Sequence, residues 1–190
     1  MTIEKAQSVV EEVFFLYEKY GNSDYIGEPV SQLEHMCQAA QLAEWEGYDD
    51  EIVLAAFFHD IGHLCEHIAP VLKMDGFGIV DHESLGGNYL REKGFSENIA
   101  RLVESHVQAK RYLTFKFPDY YKKLSEASIM TLEKQGGRMS ETEAGIFEMD
   151  DMHQLYIKLR QWDDAAKIEH KPLPLIERYK EKATNHLLRQ

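Results

Sequence analysis

The feature that most constrains the fold is a histidine–aspartate pair, His59 and Asp60, at the end of an apolar run. Residues 55–63 read AAFFHDIGH, and the alanine and phenylalanine residues before the pair predict that it is buried. An unpaired imidazole or carboxylate in an apolar core loses its solvation at a large cost in free energy. The pair therefore needs a compensating partner, and a metal ion is one candidate.

Apolar residues recur at helical spacing along the chain, and no segment shows the sustained two-residue alternation of a β-strand. The first helix is predicted over 3–20, with Gly21 as a plausible C-terminal cap. Asp50, Ser96 and Ser140 are candidate N-caps of later helices. The other segments with helical spacing are 31–46, 50–65, 82–93, 96–111, 123–134, 140–149, 150–167 and 174–188. We therefore predict an all-α fold whose helices surround a polar centre.

The breaks between these segments are short and rich in glycine, proline, aspartate or asparagine. They occupy residues 21–30, 70–81, 135–139 and 169–174. None is long enough to separate two domains, and 44% hydrophobic residues in a chain of 190 suffice for one core. We predict a single domain over 1–190, with a core at about 31–167 between the N-terminal helix 3–20 and a C-terminal helix at about 174–188.

The chain is acidic, with 33 acidic and 21 basic residues and a formal charge of −12. This charge argues against binding to a nucleic-acid backbone, so any cationic site must be local. Cys37 and Cys65 lie in helical segments, which favours reduced thiols and an intracellular protein. No window approaches the roughly 20 apolar residues of a membrane span, and the N-terminus lacks a secretory signal pattern. We expect a soluble cytoplasmic protein with no membrane partner; its oligomeric state stays open.

Nine histidines occur in the chain, and those on different predicted helices could converge on the pair. His35 precedes it on another helical segment, and His82 and His106 follow on later ones. A single histidine in such a position usually packs in the core, whereas several with a carboxylate suit iron, manganese or zinc. Because neighbouring side chains on a helix diverge by about 100°, Asp60 could bridge two metals while His59 binds one.

The resulting pattern resembles the HD-domain superfamily, helical proteins in which histidines and aspartates bind one or two metals. Five stretches between residues 24 and 167 resemble more specifically the HD-domain oxygenases that cleave the carbon–phosphorus bond of 2-amino-1-hydroxyethylphosphonate-type compounds. These stretches are DYIGEPVSQLEH, HDIGH, SHVQAKRYL, SEASIMTLEKQGG and LRQWDDAAK. The resemblance implies an HD-domain bundle around a mixed-valent Fe(II)/Fe(III) centre, related to that of myo-inositol oxygenase, with O2 as co-substrate.

The metal ligands implied by this resemblance are His35, His59, Asp60, His82, His106 and Asp163. Asp164 could take the place of Asp163, but Asp163 keeps the family spacing of three residues from Arg160. The implied products are glycine or glycine betaine plus phosphate, from a small organophosphonate with an amino or trimethylammonio group.

Seven further residues are expected at the substrate by resemblance. His63, Lys110, Ser128, Thr131 and Arg160 would bind the phosphonate oxygens, and Tyr25 and Glu28 would gate the site and recognise the amine. The spacing supports this assignment, because His63 and Lys110 each follow a ligand by four residues and would share its helix face.

Two other functions compete with the oxygenase. One is a metal-dependent HD phosphohydrolase of a small phosphomonoester or nucleotide, since a two-metal site also activates water and binds phosphoryl oxygens. The other is a degenerate HD module that only binds a ligand. The remaining histidines are expected at the surface or in packing, with His67 as the one that could also reach the site; they are His67, His153, His170 and His186.

Overall fold

The computed structural model describes residues 1–25, 27–73 and 78–190. Within these ranges the chain forms ten α-helices, one 3-10 segment and two isolated β-bridges, and no sheet. The predicted all-α fold is therefore confirmed. The helices are α1 Ile3–Tyr20, α2 Gln32–Trp45, α3 Asp50–Phe58, α4 His82–Glu92, α5 Glu97–Lys116, α6 Pro118–Tyr121, α7 Glu126–Lys134, α8 Glu141–Met149, α9 His153–Ala165 and α10 Glu177–Arg189, and the 3-10 segment is Ile61–His67.

Most predicted helices are present, but the single helix expected over 50–65 is wrong. Helix α3 ends at Phe58, and the backbone of Asp60 adopts φ −108° and ψ 14° before the 3-10 segment begins. The cap of α3 is Asp49, whose side chain accepts a hydrogen bond from the Ile52 N–H at 3.1 Å, and not Asp50. The predicted break at 70–81 lies partly outside the described residues.

Other helix ends shift by a few residues for local reasons. Helix α5 runs five residues beyond its predicted end at 111, because Tyr112, Leu113 and Thr114 continue its buried face. Helix α7 begins after its N-cap Ser125, and α10 begins at Glu177. The remaining two expected N-caps, Ser96 and Ser140, each accept the backbone N–H three residues ahead, so these caps are confirmed.

Helix α3 is the central helix, and its burial explains why it is apolar on every side. All residues from Ile52 to Phe58 are buried. The ring of Phe57 packs against Phe14 of α1, Tyr17 of α1 and Tyr179 of α10, with ring centroids 5.4, 4.7 and 4.5 Å apart. Burial of each such ring contributes about 1.5–3 kcal/mol, so the C-terminal end of α3 is held firmly.

The other site-bearing helices surround this end of α3. Helix α2 packs on α3 and α9, helix α4 packs on α5 and the 3-10 segment, and α5 packs on α3 and α9. Helices α2, α4, α5 and α9 therefore lie around α3 and the 3-10 segment that follows it. No helix in the described ranges is long and apolar enough to cross a membrane.

Gly62 allows the close approach of the 3-10 segment to α4. A Cβ built on Gly62 would lie 1.9 Å from the His82 carbonyl oxygen, which is a backbone atom that cannot move aside alone. Any larger residue would push α4 away from the end of α3.

We predict that Gly62→Ala lowers the free energy of unfolding by about 1–3 kcal/mol or more, the usual cost of overpacking a core. Gly145→Ala is the matched control, because a Cβ there meets nothing within 4 Å in helix α8. Alanine should stabilise that helix by about 0.5–1 kcal/mol. Urea unfolding of both variants measures the two effects, and equal stabilities would show that the close approach at Gly62 is unimportant.

Candidate metal centre

All six residues predicted to bind metals meet at the end of α3. His35 comes from α2, His59 and Asp60 from the end of α3, His82 and His106 from α4 and α5, and Asp163 from α9. Each of the six is at most 5% exposed. A cluster of four imidazoles and two carboxylates with so little contact with water needs internal compensation of its charges and lone pairs.

Three of the four imidazoles are fixed in one tautomer by the backbone. The Nδ1 atoms of His35, His59 and His106 lie 3.0, 2.8 and 2.8 Å from the carbonyl oxygens of Ala166, Ala56 and Val103. A carbonyl oxygen can only accept, so each Nδ1 carries the proton. In the neutral ring, each Nε2 is then an unprotonated lone pair.

The Nε2 atoms of the four histidines face each other in two groups. The Nε2 atoms of His35 and His59 are 3.0 Å apart, and those of His82 and His106 are 2.9 Å apart. Two ligands at about 2.1 Å from one metal and at a right angle to each other lie about 3.0 Å apart. The spacing therefore fits a cation bound by each pair of nitrogens.

Asp60 lies between the two groups. Its Oδ2 is 3.6 and 3.4 Å from the Nε2 atoms of His35 and His59, whereas its Oδ1 is 3.4 and 3.3 Å from those of His82 and His106. Oδ2 is buried and has no hydrogen-bond donor in the described structure. One carboxylate thus offers one oxygen to each group, which is the arrangement of a ligand that bridges two metal ions.

Asp163, and not Asp164, belongs to this cluster. Asp163 Oδ1 lies 3.4 Å from His35 Nε2, and His35, His59 and Asp163 each present one atom at a mutual spacing that suits a metal. Asp164, one residue later, instead accepts hydrogen bonds from Arg160 and Tyr120. His35, His59 and Asp163, with Asp60 beside them, are therefore spaced so that they could hold one cation.

The electrostatics keep both carboxylates ionised. Burial opposes the charge of Asp60, but the neighbouring imidazoles, His59 before the others, hold the pKa of Asp60 well below its usual value. Burial likewise opposes the charge of Asp163, and the guanidinium of Arg160 holds its pKa low. Both side chains are therefore anions at neutral pH and ready to bind a cation.

His63 reaches this centre by a route other than the one expected. Because α3 ends at Phe58, His59 and His63 do not share an α-helical face. The ring of His63 instead stacks on His82 from the 3-10 segment, with centroids 4.0 Å apart. Asp60, His63 and His82 form a second group with a spacing that suits a metal. Burial and His82 lower the pKa of His63 to about 3, so its ring is neutral.

Glu83 is a further contact of the cluster that sequence reasoning missed. Its carboxylate Oε2 lies 3.5 Å from His82 Nδ1, and both atoms are buried without a hydrogen-bond partner in the described structure. A carboxylate beside the outer nitrogen of a ligating histidine orients the ring and increases its basicity. Its position directly after His82 was the only available signal, and adjacent helical residues do not ordinarily face each other.

A cavity of about 230 Å³ adjoins the cluster. It is smaller than the roughly 300–1,000 Å³ of pockets for drug-sized ligands, so it suits a small molecule. All the substrate residues expected from the sequence line it: Tyr25, Glu28, His63, Lys110, Ser128, Thr131 and Arg160.

The cationic end of this cavity is formed by Lys110 and Arg160. Lys110 Nζ donates to Thr131 Oγ1 at 2.9 Å. Arg160 donates from Nη1 to Asp163 at 2.7 Å and from Nη2 to Ser128 at 3.4 Å, and it also contacts Asp164. Lys110 and His106, which are four residues apart on α5, both line the cavity, as their helical spacing leads one to expect.

Tyr120 supports this end from outside the predicted set. Its hydroxyl accepts a hydrogen bond from Arg160 Nε at 3.1 Å and donates to Asp164. Tyr120 and Asp164 therefore fix the position of the guanidinium. The contact joins α6 to α9, and its two residues are 40 positions apart, so no local sequence pattern predicts it.

Tyr25 covers the cluster from the loop before α2. Its ring stacks on His35 with centroids 4.1 Å apart. Burial and the carboxylate of Asp60 raise the pKa of Tyr25 well above its usual value, so the phenol stays protonated. Glu28, in the same loop, is engaged by Ser125 and Lys167.

The histidines left over from the pattern lie elsewhere. His67 stacks on Tyr20 with centroids 3.6 Å apart and does not line the described cavity. His153 contacts the Asp150 carbonyl oxygen at 2.7 Å, and His186 accepts the Ser96 N–H at 3.2 Å. The His170 side chain is 94% exposed. All four pack or face solvent.

Comparison with known proteins places this geometry among HD domains. A model of the HD domain matches residues 33–153, more than half of the chain. An uncharacterized protein of Acanthamoeba polyphaga mimivirus is 47% identical over 171 residues, which cover 90% of this chain and 78% of that protein.

Two similar proteins have named activities. A (1-hydroxy-2-(trimethylamino)ethyl)phosphonate dioxygenase of Leisingera caerulea, named as glycine-betaine-forming, is 39% identical over 160 residues, covering 84% of this chain and 81% of its own. A hydroxymethylphosphonate dioxygenase of Gimesia maris is 37% identical over 174 residues, covering 90% of this chain and 84% of its own. These two names differ in the group carried by the hydroxylated carbon.

Lys110 gives the metal-free protein a testable pH dependence. Burial, reinforced by the charge of Arg160, lowers the pKa of Lys110 to about 7, whereas an unfolded lysine titrates near about 10.4. Between these values the unfolded chain binds more protons, so the free energy of unfolding rises with pH across this window. Below pH 7 the folded state bears the full cost of the buried charge.

We predict that Lys110→Met is most stable relative to wild type below pH 7 and that this advantage shrinks towards pH 10. Urea unfolding of the metal-free proteins at pH 6.5 and 9.5 measures the change. Lys122→Met is the control, because that side chain is 75% exposed, and its effect should stay within about 0.5 kcal/mol at both pH values. A Lys110 effect that is the same at both would contradict the lowered pKa.

Proposed function

The chain belongs to the HD-domain oxygenase family and is an enzyme of the phosphonate dioxygenase type, and from this premise we propose that it cleaves the carbon–phosphorus bond of a small 1-hydroxyphosphonate with O2 at two iron ions. The products would be phosphate and the carboxylic acid of the hydroxylated carbon. The family resemblance favours a 2-amino or 2-trimethylammonio substituent, which would give glycine or glycine betaine.

One observation supports this proposal more than any other. The two oxygens of Asp60 face two separate pairs of imidazole nitrogens, directly beside a cavity that presents Lys110 and Arg160. Such a cluster suits two metals, and such a cavity suits a small anion next to them. The names of two relatives add the reaction type, because both are dioxygenases of a hydroxylated phosphonate.

The residues divide into two ligand sets in this proposal. His35, His59, Asp163 and Asp60 Oδ2 would hold one iron, and the second iron would lie at Asp60 Oδ1 with His82 and His106. When bound, the irons would supply the activation of O2 and the binding of the substrate hydroxyl. The protein would orient the substrate and exclude water from the reacting carbon.

Lys110 and Arg160 would bind the phosphonate. Arg160 carries five N–H donors, and its bonds to Tyr120, Asp163, Asp164 and Ser128 use four of them. One N–H on Nη1 remains for a phosphonate oxygen. A bound dianion would keep the proton on Lys110, because a nearby negative charge favours the charged form of a lysine. Ser128 and Thr131 would add hydroxyl groups from α7.

Tyr25 would act as a cover for the site. It lies against the ligand His35 with a protonated phenol near Asp60. A loop that carries such a side chain can close over a small substrate and open to release phosphate. Its phenol proton would stay in place throughout, since burial disfavours the phenolate.

The second candidate function is hydrolysis of a phosphomonoester, which the same cluster and cationic cavity would support. Oxygen dependence separates the two. We predict that protein loaded anaerobically with Fe(II) releases phosphate from a 1-hydroxyphosphonate only after O2 is admitted, with one O2 consumed per phosphate.

The matched pair for this experiment is His106→Ala, which should abolish the reaction, and His170→Ala, which changes a histidine with a 94% exposed side chain and should leave the reaction unchanged. Oxygen uptake and phosphate are recorded in the same sample. Phosphate release from a phosphomonoester without O2, and none from any 1-hydroxyphosphonate with O2, would favour the phosphohydrolase instead.

A further inference from the structure

His82 differs from the other three candidate histidine ligands at its outer ring nitrogen. The Nδ1 atoms of His59 and His106 each contact the carbonyl oxygen three residues earlier in the same helix, and that of His35 contacts the carbonyl oxygen of Ala166. His82 is the first residue of α4, so the position three residues earlier lies outside the helix. Its Nδ1 atom has no hydrogen-bond partner in the described structure, and something other than the backbone must fix the ring.

Glu83 is in the position to do this. Its Oε2 atom lies 3.5 Å from His82 Nδ1, and both atoms are buried and unpartnered in the part of the chain that the structure describes. Buried polar atoms without a partner are rare in native proteins, and here two of them lie side by side. A shift of about 0.5 Å would bring them to hydrogen-bonding distance. With its proton on Nδ1, the ring would donate to the carboxylate and present Nε2 as a lone pair.

The surroundings favour this arrangement. Glu83 lies in the first turn of α4, where the unpaired backbone N–H groups of a helix stabilise a negative charge. On its face, the ring of His82 stacks on His63 with centroids 4.0 Å apart. The imidazole is therefore confined at its face by another ring and at its outer edge by a carboxylate.

The two pairs of imidazoles differ in the carboxylates beside them. Both pairs face Asp60, and Asp163 adds a second carboxylate to the inner nitrogen of the pair that contains His35. The pair that contains His82 has Glu83 instead, which contacts the outer nitrogen. Each pair thus has one carboxylate of its own. The first could bind a metal directly, whereas the second could reach a metal through His82.

We propose that Glu83 is a positioning residue that sets the metal affinity of the site formed by His82, His106 and Asp60 Oδ1, and that it leaves the other site unaffected. The inference rests on the two-metal centre of the proposed function. Through the hydrogen bond to Nδ1, Glu83 would fix the orientation of the ring and strengthen its inner nitrogen as a donor. Loss of such a carboxylate typically weakens a metal site by about 10–100-fold.

Binding of iron to the metal-free protein tests the inference without any turnover. Fe(II) is titrated anaerobically in competition with a chromophoric chelator, so that the two dissociation constants are resolved. Glu83→Ala should weaken one binding step by about 10–100-fold and leave the other within about twofold. Glu83→Gln keeps a neutral acceptor, so its effect should be smaller, because charge-assisted hydrogen bonds are roughly twice as strong as neutral ones.

Two further backgrounds identify the affected site. His35→Ala removes a donor of one site, and His82→Ala removes a donor of the other. Added to His35→Ala, the Glu83→Ala change should weaken the remaining step by the same factor as in the wild type. Added to His82→Ala, it should change nothing further, because residues that act as a unit are not additive.

Glu104→Gln is the matched control. Glu104 lies two residues before the candidate ligand His106, but its carboxylate is paired with Arg91. This variant should leave both steps within about twofold of wild type. Unchanged binding in Glu83→Ala would overturn the inference, and so would an equal weakening of both steps, which a general structural role would produce. A wild type that binds fewer than two iron ions would contradict the proposed two-metal centre itself, which is a different outcome.

Discussion

A single buried carboxylate between two pairs of imidazoles is the constraint on which the rest of the structure depends. In the neutral form of three imidazoles the single ring proton is donated to a backbone carbonyl oxygen, so the inward nitrogens are lone pairs. Lone pairs about 3 Å apart repel each other unless a cation lies between them. Asp60 faces both pairs, and its negative charge makes the centre attractive to cations.

The helices around this centre are arranged to satisfy that constraint. An apolar α3, held by Phe57 against α1 and α10, carries His59 and Asp60 to the point where five elements meet. The helical conformation does not continue through Asp60. Two residues later, Gly62 allows α4, which begins at His82, to pack closely against the 3-10 segment. The short 3-10 segment therefore connects the packed core to the candidate metal centre: it follows directly on Asp60, and its apolar side chains are buried.

Sequence reasoning predicted the helices well because their apolar periodicity is strong, and it missed the break after Phe58 because the periodicity continues through it. Ile61, Leu64 and Cys65 remain buried in the 3-10 segment, so a helical pattern over 50–65 is what the residues show. Caps were predicted to within one residue where serine or aspartate precedes an apolar run. The residues that gather at the centre could be named in advance because the family pattern gives their order.

Contacts between distant segments were beyond such reasoning. Lys167 meets Glu28 across 139 residues, and Tyr120 meets Arg160 across 40. Neither pair has a spacing that a helix or turn would reveal, yet the first neutralises a carboxylate that lines the cavity. The side-chain partners of a site residue, and not its identity alone, therefore decide what it can bind.

The central claim is that Asp60 bridges two metal ions. The most direct test is elemental analysis of iron in the wild type and in Asp60→Ala, each loaded anaerobically with Fe(II) and freed of excess metal. The account predicts two irons per chain in the wild type and the loss of both in the variant, because each site would lose one oxygen of the shared carboxylate. Two irons retained in Asp60→Ala would contradict it.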